Sequence, residues 1–206
     1  APGGRRNPGG GHPAVGADAP WWRGPDFGPR TGDVKAIWEA SRFDWVVNLA
    51  QRAATGRAEA LDRLNGWLED WCRRNPAYRG HNWKCAQEAS IRVLHLALAA
   101  LVLGDASSTT PAVADLVAAH LRRIEPTLAY ATGQENNHAT SEATELFVGG
   151  SWLEAHGSRE GGRWGAKGRR LMERLAVRLV QPDGSFSQYS TSYHRMMLDA
   201  LCIGEV

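Results

Sequence analysis

From Asp33 onward the apolar residues recur at helical rather than strand spacing. In DVKAIWEASRFDWVVNLAQRAA, Asp33 is a capping residue and Val34, Ile37, Trp38, Trp45, Val46 and Leu49 form one stripe, which predicts a helix over 33–54. RAEALDRLNGWLEDWCRRN follows after Thr55 and Gly56, with Leu61, Leu64, Trp67, Leu68 and Trp71 as its stripe and Pro76 as its stop. NWKCAQEASIRVLHLALAALVLG is apolar on most faces in its second half, as a buried helix would be. PAVADLVAAHLRRIEPTLAY contains Pro126, which ends or kinks a helix. NNHATSEATELFVGGSWLEAHG and GGRWGAKGRRLMERLAVRLVQ form a further pair, in which Gly149 and Gly150 permit close helix packing. STSYHRMMLDALCIG then opens a seventh predicted helix, and there is almost no strand signal.

The predicted helices group as hairpins whose starts, near Asp33, His81 and Asn136, recur about every 50 residues. An all-α array with that period is a helical solenoid or a closed (α/α) toroid, expected here over 33–206. Residues 1–32 are rich in Gly, Pro and Arg without periodicity and read as an irregular lead-in, with Trp21, Trp22 and Phe27 expected to anchor its end.

Composition narrows the partners. The formal net charge is +2, from 24 basic and 22 acidic residues spread along the chain, so nothing points to nucleic acid. Arginine greatly outnumbers lysine, which suits bidentate contacts to carboxylates, although a coding bias produces the same pattern. Nine tryptophans are compatible with stacking on sugar faces as well as with filling a core. Cys72, Cys85 and Cys202 are odd in number and widely spaced, which reads as buried free thiols. No run approaches the ~18 apolar residues of a membrane span, and no leader pattern opens the chain. The chain starts without methionine and stops inside a helical pattern, so it is expected to be part of a longer polypeptide.

Two stretches could carry chemistry. In GQENNHATSE, Asn136 or Asn137 can cap the helix that follows, and His138 then lies in the first turn among unsatisfied backbone N–H groups. Such an end favours an anion, a carboxylate being the natural guest; a plain cap with an exposed histidine is the alternative. In PDGSFSQYSTSYHRMM, Pro182 to Ser185 is a turn signal, Ser190, Thr191 or Ser192 can cap a helix, and Tyr193 falls in its first turn. A tyrosine there can exchange protons with a substrate, with His194 and Arg195 as neighbours; an ordinary surface helix start is the alternative. The histidines fall into no metal-binding spacing, and neither a phosphate loop nor a GxSxG elbow is present, so no metal or other cofactor is expected.

NWKCAQEASIRVLHLALAAL, ENNHATSEATELFVGGSWL and DGSFSQYSTSYHRMMLDAL, in that order and spacing, resemble the heparinase II/III family of polysaccharide lyases. The resemblance covers roughly 33–206 and implies an (α/α) toroid, usually followed by a β-sandwich domain that this chain lacks. It implies β-elimination on an anionic, uronic-acid-containing polysaccharide in the periplasm or outside the cell. Asn137 and His138 match the family's carboxylate-neutralising pair, and Tyr193 matches its proton-transferring tyrosine. Trp83, Glu88, Arg92, Glu142 and His194 are then expected to bind or support substrate. A further histidine that many members supply from the β-sandwich has no counterpart here. An (α/α) toroid hydrolase using two of Glu39, Glu88, Glu142 and Asp183, and a noncatalytic glycan-binding module, are the alternatives.

Overall fold

The computed structural model describes residues 18–28, 32–104, 107 and 109–205, and these are mainly helical, so the chain is all-α. The expected lead-in over 1–17 lies outside the described residues. The chain divides into two compact units, Ala1–Ala106 and Ser107–Val206.

In the first unit the helices are α1 (Lys35–Glu39), α2 (Asp44–Ala54), α3 (Ala58–Arg74) and α4 (Ala86–Leu103), and α2 packs against both α3 and α4. The single helix expected over 33–54 is broken, because Phe43 takes a left-handed conformation with φ +68°. The cost of that conformation for a residue with a Cβ is offset by burial. Phe43 is enclosed, its ring edge-on to Trp71 at 4.8 Å, and the Trp71 indole N–H donates to the buried Ser41 hydroxyl at 3.2 Å. Trp45 and Trp67 extend this aromatic cluster.

The end of the lead-in is held by backbone: Trp21 N–H donates to Tyr78 carbonyl and Gly80 N–H to Ala19 carbonyl. Trp22 and Phe27 do not anchor it, being 61% and 69% exposed. Phe27–Gly28 (β1) pairs antiparallel with Gly32–Asp33 (β2). The helix expected from Asn82 begins only at Ala86, since His81–Trp83 is a 3₁₀ turn and Cys85 is extended. At 18 residues and a mean hydropathy of 1.4, α4 is long and apolar enough by length and composition to cross a membrane, although Gln87, Glu88, Ser90, Arg92 and His95 interrupt its apolar run. Over half of it is buried within the protein, as in the core helix of a globular unit.

The second unit contains α5 (Pro111–Ile124), α6 (Leu128–Gly133), α7 (Asn137–Ala155), α8 (Arg159–Leu179) and α9 (Thr191–Glu205). Pro111 opens α5 at its first turn, where a missing N–H costs nothing. Pro126 sits in a 3₁₀ turn that separates α5 from α6. α7 and α8 form a hairpin with the most extensive helix contact in the unit, and α5 and α9 also pack on α7. The hairpin closes over glycine. A Cβ on Gly150 would stand 2.3 Å from the Gly165 nitrogen, and one on Gly168 would stand 2.4 Å from the Phe147 nitrogen. The three cysteines form no disulfide with one another; Cys72 and Cys85 are half-buried and Cys202 is exposed, where buried thiols were expected.

Candidate active site

The stretch around Asn137 folds as a capped helix start. Asn136 is the N-cap of α7 and its side-chain oxygen accepts the His138 N–H at 2.9 Å. The Asn137 N–H donates to the Gln188 side-chain oxygen at 2.8 Å, and the Ala139 N–H donates to the Asn136 carbonyl. The backbone donors expected to be open to an anion are therefore engaged by the protein itself. What remains for a ligand are side chains. Asn137 is only 3% exposed, and its side-chain amide finds no hydrogen-bond partner among the described residues. His138 beside it is half-buried.

The second stretch meets the first. After α8, Gly184 at φ +84° closes the expected turn, Gln181 N–H donates to Ser185 carbonyl, and Val180 bridges Phe186. Asp183 accepts from the Ser185 N–H and hydroxyl, which holds its carboxyl below the usual range. The chain then returns to α7: the Ser187 hydroxyl donates to the Glu135 carbonyl at 2.8 Å, one residue before Gln188 reaches Asn137. Glu135 has φ +51°, a strained value for a residue with a side chain, and Arg178 pairs with its carboxylate. Tyr193 follows in the first turn of α9 and is 42% exposed, its N–H directed at the Ser190 hydroxyl at 3.5 Å. His194 is half-buried and stacks on the buried Phe186 ring.

Glu142 lies one turn beyond His138 on the same face of α7, and Glu145 comes three residues later. Burial raises the Glu142 carboxyl to about 8, with the positive charge of Arg123 acting in the opposite direction. Glu145 is also buried and is pushed well above the usual carboxylate range. One oxygen of each carboxyl has no hydrogen-bond partner. At neutral pH Glu142 is thus mainly a neutral acid, able to donate a proton or a hydrogen bond. A cluster of three or more His, Cys, Asp or Glu side chains able to hold a metal does not occur among the described residues.

The residues expected from the first unit serve its interior. Trp83 is 1% exposed, with its indole N–H donated to the Asn75 carbonyl, and offers no ring face for a sugar. Arg92 is fully buried between the Trp71 and Trp83 rings, at 5.3 and 5.8 Å, and donates to the Asn82 carbonyl. Glu88 accepts both Arg42 hydrogen bonds, at 2.7 and 2.8 Å. All three are buried inside the unit, Trp83 and Glu88 with their polar groups engaged by neighbouring residues.

Gln188, Glu135, Arg178 and Glu145 were not anticipated as site residues. Glu145 had a readable signal, since HATSEATE sets two acids three apart on one helix face. Gln188 had none: an amide in an irregular linker shows its target only once the linker is folded. No protein-family model, curated protein or solved structure matches the chain.

Proposed function

We propose that this protein is a polysaccharide lyase that cleaves a uronic-acid-containing chain by β-elimination, its helical hairpins being units of an (α/α) toroid. The observation that carries the reading is the position of Asn137 at the start of α7, its backbone N–H bonded to Gln188 in the segment that delivers Tyr193 and its side-chain amide not taken up by that bond. In that reaction the C5–H bond breaks, its electrons form the C4–C5 double bond, and the C4–O bond to the leaving sugar breaks. The C5 proton becomes acidic only when the adjacent carboxylate is neutralised. Asn137 supplies amide donors for that purpose and His138 supplies an imidazole beside it, in a site already shaped for the charge that develops. Tyr193, exposed at the start of α9, takes the role of proton donor to the leaving oxygen and, as phenolate, of base at C5. A protonated Glu142 one turn below His138 adds no negative charge to repel the substrate.

Incubation with alginate, glycosaminoglycans and bacterial exopolysaccharides tests this. The expected product carries the ultraviolet chromophore of a 4,5-unsaturated uronate. New reducing ends without that chromophore would instead identify a hydrolase.

A further inference from the structure

The second unit also contains a cleft of about 700 Å³ between α8 and the segment formed by the Glu125–Thr127 turn and α6, reaching at its Arg178 end the Glu135 that precedes α7. Four cations of α8 line it: Lys167, Arg170, Arg174 and Arg178. Their spacing of three, four and four residues places them along one face of the helix, over about 16 Å at 1.5 Å rise per residue. The two at the ends are neutralised, Lys167 by Glu125 and Arg178 by Glu135. Arg170 and Arg174, one turn apart in the middle, have no ion pair or hydrogen bond among the described residues. Like charges at this spacing repel, so the arrangement is unfavourable until an anion lies between them.

We infer that this cleft is a second binding site for acidic polysaccharide, with a carboxylate or sulfate of the chain held between Arg170 and Arg174. The inference rests on the proposed reading that the substrate is such a polymer. One cation per helical turn matches a ligand whose charges recur regularly, as one per sugar unit does. No aromatic ring lines the cleft, so a nucleobase would find no platform to stack on. The site does no chemistry. It raises the residence time of a chain whose reacting sugar is engaged at Asn137, by adding a second attachment point.

The test is calorimetric titration of the full chain with an alginate octasaccharide, a heparin octasaccharide, inorganic sulfate and a single-stranded DNA of equal charge. Arg170→Gln/Arg174→Gln is compared with Arg159→Gln/Arg169→Gln, which removes the same charge at exposed positions outside the cleft. All four positions are exposed, so folding should survive; circular dichroism checks it. The expected result is octasaccharide binding weakened about tenfold or more in the first variant and little changed in the second. Equal losses in both variants, or preferential binding of the DNA, overturn the inference. So does sulfate binding as tight as either octasaccharide, which would reduce the site to a small-anion site. Binding without unsaturated product retains the cleft and removes the lyase reading. Product formation with binding indifferent to Arg170 and Arg174 does the reverse.

Discussion

The side-chain oxygen of Gln188 accepts the backbone N–H of Asn137 at 2.8 Å, fastening the linker before α9 to the first residue of α7. The bond satisfies a helix-terminal donor and sets where Tyr193 begins its helix, so one contact joins stability to the candidate site. Gln188→Ala should therefore cost about 1–2 kcal/mol in denaturant unfolding, a magnitude typical of a lost helix cap or partly buried hydrogen bond. It should also lower any elimination rate more than its stability loss explains. Loss of stability with an unchanged rate would restrict Gln188 to a structural role.

The Glu142 carboxyl sits at about 8 in the folded chain and near 4.5 when unfolded. Between those values the unfolded state binds fewer protons than the folded one, so stability is fully present below about pH 4.5 and falls as pH rises toward 8. Glu145, shifted in the same direction, adds to the fall. Glu142→Gln keeps the shape and removes the titration; it should flatten the curve between pH 5 and 8 and stabilise the protein at pH 8 by on the order of a few kcal/mol. Unfolding curves across that range check the sign, and an unchanged slope in the variant would place the titration elsewhere.

Gly150→Ala should destabilise the second unit by about 3 kcal/mol or more, because the new Cβ meets backbone of α8 that no rotamer change can move aside. Gly66→Ala, on α3 with nothing near its Cβ position, should be neutral or stabilising by up to about 1 kcal/mol. Thermal unfolding of the two variants gives the comparison. Equal behaviour would mean that the α7 and α8 backbones are not held at glycine distance.

Much of this was legible in the sequence, for identifiable reasons. The Asn136 cap, the kink at Pro126, the turn at Asp183 and Gly184 and the glycine contact of α7 follow from local rules of backbone and side-chain chemistry. The break at Phe43 was not legible, since periodicity continues through it and only burial against Trp71 stabilises its left-handed backbone. Trp83, Glu88 and Arg92 look the same in sequence whether they face a ligand or one another; which partner wins is decided by tertiary packing. The pairing of the Asn137 and Tyr193 stretches through Gln188 lies between these cases. Each stretch could be recognised as chemistry-bearing, but their meeting depends on a linker with no period to read.

Glu88→Ala would leave the Arg42 guanidinium without its bidentate partner and should cost about 2 kcal/mol in the first unit. It should leave elimination kinetics of the folded protein unaltered, because Glu88 is assigned to packing and not to substrate. A rate defect in folded Glu88→Ala protein would return that residue to the site.

The central claim is tested most directly by the rate of unsaturated uronate formation in the wild-type chain beside Asn137→Ala, His138→Ala and Tyr193→Phe, on the polysaccharide that gives most product. The account predicts product with the wild type and losses of about 100-fold or more in each folded variant, the size associated with removing a preorganised donor or a proton-transfer group. Product formed at wild-type rate by all three variants, or by no protein on any uronate polymer, would contradict it.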